Sequence, residues 1–220
     1  MRMSSLRYKL LVLLGLILVA ALALANPASA SRIPCRPSAG TFTITHSATA
    51  RIFTASNAND YACLYSSGRA RYLSPGEHYL YEHVRFAGPY VAFVMNISAN
   101  DDHVGVLNMR TGKLRNYAPV TPITQTGANC STDVPVCRVV CPTVSALVLK
   151  ADGALAWIAT NFFSSNCMNP PGPVVDVWRH DARGLSVVDT GTSISLTSLR
   201  LSGSSLTWKN AGLVQSSTLF

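Results

Sequence analysis

The stretch LVLKADGALAWIA at residues 147–159 decides the fold. Large apolar residues recur at Leu147, Leu149, Leu155 and Trp157, and Lys150-Ala151-Asp152-Gly153 interrupts them. Period-two alternation on both sides of an Asp-Gly turn predicts a β-hairpin whose apolar side chains share one face. The same design returns as VRFAGPYVAFV at 84–94 and LRLSGSSLTWK at 199–209. Val84 and Phe86 correspond to Leu147 and Leu149, then to Leu199 and Leu201. Gly88, Gly153 and Gly203 make the turns, and Phe93, Trp157 and Trp208 end the second strands. The alternation predicts that these aromatics face a common core.

A second hairpin type is interleaved with the first. It reads YACLYSSGRARYL at 61–73, VGVLNMRTGKLRNY at 104–117 and VDVWRHDARGLSVVD at 175–189, with Gly68, Gly112 and Gly184 in the turns. A last strand, LVQSSTL, occupies 213–219. No helical period is sustained beyond residue 30, so the fold class is all-β. Two consecutive hairpins build a four-stranded antiparallel sheet of the kind found in propeller blades. The series opens on the second type and closes on the first. Pairing these odd halves across the termini predicts three full blades. Four result if strand 49–54 and strand 213–219 belong to separate partial blades. The alternative built from the same hairpins is a β-sandwich.

With these residues in view, the segments at 84–117 and 147–189 resemble TolB-type and related β-propeller repeats, Lys150 to Gly153 standing where those repeats carry an Asp-Gly turn. The likeness spans about residues 48–219. It implies a single domain over 31–220 of propeller-like antiparallel blades, about three to four, with ring closure open. The Asp-box of sialidase-like propellers is excluded, because Gly153 comes one place too early and no Ser stands two before Asp152. The chain also resembles secreted propeller-like proteins of GC-rich actinobacteria, and its 14 Arg against 4 Lys agree with a GC-rich genome.

The N-terminus reads as an address. Arg2, Arg7 and Lys9 precede an unbroken apolar run from Leu10 to Ala25, and Ala28-Ser29-Ala30 places small residues at −3 and −1 of a cleavage site. This is the layout of a signal peptide over residues 1–30, cleaved after Ala30. The run is shorter than the roughly 20 residues of a spanning helix, which leaves a retained anchor as the alternative. Arg32-Ile33-Pro34 before Cys35 does not form a lipobox. The expected location is extracellular or in the cell envelope, with no stable membrane span after cleavage. Removing the leader also lowers the formal charge from +8 to +5.

Export gives the cysteines their meaning. Cys35, Cys63, Cys130, Cys137, Cys141 and Cys167 all lie beyond the leader, an even set that reads as disulfide candidates in an oxidising compartment. Fifteen pairings are open. One places Cys35 on Cys63, tying the N-terminal tail down. Others would pin the Cys-bearing loops read at 118–143 and 163–173, which are also the expected place for recognition. Zinc is the weaker reading, since Cys-x6-Cys-x3-Cys lacks a C-x2-C knuckle.

Catalytic and metal motifs are scarce. Glu77-His78-Tyr79-Leu80-Tyr81-Glu82-His83 spaces its histidines by five, which suits neither a zincin helix nor one face of a strand. Asp101-Asp102-His103 and His180-Asp181 read as equivalent turns. There is no G-x-S-x-G, and both Glu of the chain fall within 77–82. Trp157 and Trp208 read as packing, while Trp178 could face solvent and stack on a sugar. The arginines are scattered, unlike the clustered face of a nucleic-acid reader, so no nucleic acid is expected. No cofactor and no metal are expected either. The reading is an exported, disulfide-supported all-β module, binding or structural, meeting an extracellular ligand or cell-wall component. Two other outcomes stay open: self-association of an incomplete ring, and an extracellular hydrolase built from Asp101, Asp102, His103, Asp176, His180 and Asp181. N-terminal sequencing of the secreted protein is expected to start at Ser31, and a start at Met1 would mean a retained leader.

Overall fold

The computed structural model describes residues 33–75, 80–96, 102–120, 139–164 and 174–220. Among them the regular structure is entirely β: β1 (Phe42–His46), β2 (Ala50–Thr54), β3 (Asn59–Leu64), β4 (Ala70–Pro75), β5 (Leu80–Ala87), β6 (Tyr90–Asn96), β7 (Asp102–Asn108), β8 (Lys113–Pro119), β9 (Val139–Leu149), β10 (Leu155–Ser164), β11 (Val174–Asp181), β12 (Gly184–Gly191), β13 (Arg200–Ser202), β14 (Ser205–Asn210) and β15 (Leu213–Thr218). No helix among the described residues is long and apolar enough to cross a membrane.

Strands pair antiparallel in sequence order into four sheets. Sheet I is β1-β2-β3-β4, sheet II β5-β6-β7-β8, sheet III β9-β10-β11-β12 and sheet IV β13-β14-β15. The repeated hairpins fall where the sequence places them, and the turn glycines Gly88, Gly153, Gly68, Gly112, Gly184 and Gly203 all have positive φ. The odd halves do not pair across the termini. β3 and β4 are completed by β2 and by the short strand β1, and β15 joins β13 and β14, so the described residues form four sheets. This is also not the two-sheet arrangement of a sandwich.

Stacking of the sheets corrects the idea of one common core. Val91 and Phe93 of β6 pack with Ile52, Ala62 and Leu64 of sheet I. Leu155 and Trp157 of β10 pack with Ala92, Val94 and Val106 of sheet II. Leu206 and Trp208 of β14 pack with Ala156, Ile158 and Val177 of sheet III. Each aromatic therefore faces the sheet before its own, and three separate layers join four sheets. Period two correctly groups the side chains by face, but does not say which neighbour that face meets.

The layers combine large with small. β6 sends Phe93 backward to sheet I and Ala92 and Val94 forward to sheet III; β10 sends Trp157 backward and Ala156 and Ile158 forward. Two of the core indoles, Trp157 and Trp208, are anchored across their layer. Trp157 Nε1 donates to Val120 C=O at 2.9 Å, and Trp208 Nε1 donates to the Asp189 carboxylate at 2.6 Å. Arginines reach in the other direction. Arg71 of β4 donates to Arg110 C=O, Arg115 of β8 to Asp152 C=O, and Arg179 of β11 to Thr218 C=O at 3.0 Å. Part of the basic surplus is thus spent joining each sheet to the next.

Two buried details give tests. Gly105 lies opposite Phe93 in the β6–β7 ladder, and a Cβ there would stand 2.8 Å from the phenyl ring. Gly105→Ala is expected to lose about 1–3 kcal/mol through overpacking, read as a lower urea midpoint with an unchanged slope. Between sheets I and II, Asp60 is buried, accepts from Thr54 Oγ1 at 2.7 Å, and neighbours Tyr81, whose hydroxyl also meets Ser74. Burial pushes the Asp60 carboxyl above its ordinary range. A raised folded-state value means that its favourable contribution is complete below the unfolded carboxylate range and is lost as pH rises through the folded value. Stability of the native chain relative to Asp60→Asn should fall over that interval, and parallel pH profiles of the two would refute this.

Candidate functional site

The free face of sheet I shows how the stack is ended. At the position where β6, β10 and β14 carry Val91, Leu155 and Leu206, β2 carries Arg51, and Phe53 takes the place of the aromatic. No earlier sheet among the described residues covers them. Residues 34–36 do so instead, held by the Cys35–Cys63 disulfide with a Cα–Cα distance of 5.7 Å. Arg51 is fully buried and donates to Cys35 C=O, to Arg36 C=O at 2.8 Å and to Thr43 Oγ1 at 3.0 Å. Its guanidinium lies 3.8 Å above the Phe53 ring, which stacks on Tyr61. A buried guanidinium is stable here because backbone carbonyls and an aromatic face replace its hydration.

Of the other cysteines, Cys130, Cys137 and Cys167 lie outside the described residues, and Cys141 is placed in β9 opposite Phe162. The long loops are shorter than the sequence suggests. Residues 118–119 end β8, 139–143 open β9, and 163–164 end β10.

The free face of sheet IV is built differently. Thr207 and Lys209 of β14 point away from sheet III, and the ladder sets Arg200 and Ser216 beside Thr207 and Val214 beside Lys209. Arg200, Thr207, Lys209 and Val214 line a shallow groove of about 410 Å³ with Ser195, Thr197 and Ser198. Arg200 is oriented by Thr197 C=O at 2.8 Å and Leu199 C=O at 2.7 Å. Ser198 Oγ donates to Ser195 C=O at 2.7 Å and accepts from Lys209 N–H at 2.9 Å. The groove therefore offers two cations and several hydroxyls.

A smaller cleft of about 230 Å³ lies among Arg115, Asp152, Asp181 and Phe220. Its carboxylates are already engaged. Asp181 accepts from Arg183 N–H at 2.8 Å and Phe220 N–H at 3.1 Å, and Asp152 pairs with Lys150 at 3.0 Å. Arg183 covers the Phe220 ring at 3.3 Å.

The residues required for a hydrolase are dispersed. Asp102 and His103 open β7 in sheet II, whereas Asp176 lies near the start of β11 and His180 and Asp181 at its end in sheet III. The two Asp-His pairs are thus at opposite ends of corresponding strands, not in equivalent turns. Asp101 lies outside the described residues, as do Glu77 and His78. His180 is held below the ordinary imidazole range by burial, against the opposing effect of Asp181. Among the described residues no group of three or more His, Cys, Asp or Glu is placed to hold a metal ion. Trp178, left open as a sugar platform, is buried and stacked on Trp157 with centroids 6.2 Å apart.

The missed features are Arg51 and the sheet IV groove. A cation amid the apolar positions of ARIFT, and hydroxyls in the last hairpin where earlier ones have Ala and Ile, were the available signals. Replacing Cys35 and Cys63 together by Ser is expected to cost about 2–4 kcal/mol in urea unfolding; unchanged stability would show that the strap holds without its bridge.

No family model matches the chain, and no curated protein matches it. Among solved structures, the computationally designed Ika8 protein aligns over 80% of this chain and 57% of its own, at 10% identity and a TM-score of 0.32. That likeness is too slight to bear on fold or function, and the resemblance to TolB-type repeats rests on the sequence repeats.

Proposed function

We propose that the chain is an exported, disulfide-supported binding module whose ligand-facing surface is the free face of sheet IV, and that the ligand is an anionic, hydroxyl-rich polymer of the cell exterior. One observation carries this reading. Where sheets II and III bury Ala92 and Val94, or Ala156 and Ile158, against a following sheet, sheet IV presents Thr207 and Lys209. Arg200 and Lys209 supply attraction that weakens with salt, and the hydroxyls of Ser195, Thr197 and Thr207 supply donors and acceptors that suit sugar or polyol groups. The opposite end of the stack is closed by the 34–36 strap, so the two ends differ in availability.

A radial, propeller-like placement of the sheets belongs to the same proposal. It is supported by the first strands, since β9 adjoins both β5 and β13. Sheets that fan out from neighbouring first strands leave their outer strands and terminal faces exposed to a large partner. The leader, if cleaved as read, delivers the module to such a partner.

Poly(glycerol phosphate) chains are a suitable probe. Binding is expected at low salt, declining as salt is raised, and Arg200→Gln with Lys209→Gln should weaken it about tenfold. Asp152→Asn, remote from the groove, should leave it unchanged. Equal binding by the double variant, or no binding at low salt, would overturn the reading.

A further inference from the structure

Sheet IV has three strands where each other sheet has four, and the edge of β15 lies open among the described residues. The backbone polarity of that edge follows from one hydrogen bond. Ser195 N–H donates to Lys209 C=O at 2.9 Å, so the backbone groups of Lys209 turn away from β15. Those of its ladder partner Val214 must then turn away from β14. By alternation, Val214, Ser216 and Thr218 present their amide groups at the edge. Arg179 occupies the Thr218 carbonyl, which leaves Val214 and Ser216 as the open pair.

This edge lacks the protections seen on the other outer strands. The ladders that hold β4, β8 and β12 each contain a register shift, and each of those strands carries a charged residue. The β14–β15 ladder is regular, and β15 reads LVQSST, without charge or Pro. Bulges, charges and prolines are the usual means of keeping an edge from pairing. Beside it runs a groove of about 500 Å³ between β15 and β12, lined by Val187, Val188, Asp189 and Gln215 to Ser217. Val187 and Val214 are exposed at 44% and 68%. The groove is where a fourth strand would lie, because Arg179 of β11 already reaches β15 and β12 is the next strand outward.

We propose that this groove takes an extended peptide segment of another polypeptide, which pairs with β15 as the fourth strand of sheet IV. Narrow pairs at Val214 and Ser216 supply four backbone hydrogen bonds. Side chains on one face of the added strand meet Val187 and Val188 beside Asn210, Gln215 and Ser217, so short aliphatic or hydroxyl residues belong there. Those on the other face continue the surface of Thr207, Lys209 and Ser216, so acidic or hydroxyl residues belong there. A second copy of the chain does not fit by its own β15 in antiparallel pairing. Its sheet III would have to share the space over the new strand that β12 already fills. A lone strand brings no such layer.

The probe is a capped peptide of about seven residues alternating Val and Asp, a usual strand length. Titrated into the intact oxidised protein, it is expected to slow hydrogen exchange at the Val214 and Ser216 amides specifically. Ser216→Pro removes one edge donor at a site where proline is tolerated, and Val187→Asp places a charge in the groove. Each is expected to weaken binding at least about tenfold. A version of the peptide with proline at its central positions should not bind. No binding at about 1 mM peptide, binding without protection of those two amides, or full affinity in Val187→Asp would each overturn the proposal. These outcomes are read at the Val214 and Ser216 amides and at Val187, and so are distinguishable from the polyanion test, which reads Arg200 and Lys209.

Discussion

Each second strand must place a large side chain against the preceding sheet and small ones against the following sheet. That constraint creates the four-sheet stack. Phe93 needs Gly105 beside it and Ile52, Ala62 and Leu64 across from it; Trp157 needs Ala92 and Val94. An interior at crystal-like density admits little departure from such matching. The direction it imposes is polar. A sheet with its aromatic pointing backward and its alanines forward can be followed by another of the same kind, and the stack can in principle grow by repetition. The indole bonds run backward and the arginine bonds forward, each tying a sheet to its sequence neighbour by a polar contact across the layer.

A polar stack has two unlike ends, and both require a solution. At sheet I the backward face would expose Phe53, Tyr61 and the Cys63 position. The chain covers it with its own residues 34–36, and Arg51 supplies the hydrogen bonds that an irregular segment needs for its carbonyls. At sheet IV the forward face needs no cover because β14 presents Thr207 and Lys209 there, beside Arg200 and Ser216. Terminal units with a polar outer face are the general device for ending repeats. Here one end hides its aromatic surface under a disulfide-locked strap, and the other replaces the apolar residues outright.

Much of this was legible because glycine and aromatic positions repeat. The turns at Gly88, Gly153 and Gly203, and the same-face grouping of Val84, Phe86, Val91 and Phe93, follow from local chemistry alone. What was not legible depends on longer-range partners. Alternation assigns Trp157 to a face but cannot tell whether that face meets sheet II or a central core. FTITH at β1 is too short and polar to stand out, and it becomes a strand only because β2 presents an edge to it. Pro142 and Cys141 made residues 139–143 read as loop. The ladder with β10 overrides that local preference, as tertiary pairing often does for strands. From sequence Arg51 is one more of the scattered arginines, since nothing local announces that a strap will bury it.

The same reasoning separates surfaces that are finished from those that are not. The strap satisfies the backbone and covers the rings at sheet I, so little there remains for a partner to gain. The forward face of sheet IV has satisfied backbone groups but accessible cations and hydroxyls, so what it can gain is electrostatic and sensitive to salt. The β15 edge is the reverse case: its side chains are uncharged, and its unpaired groups are in the backbone, where pairing is directional and nearly indifferent to salt. Two adjoining surfaces on one sheet therefore select by different physics. A ligand that engages both must be a strand on one side and an anion on the other, a combination that a polypeptide with alternating aliphatic and acidic residues provides.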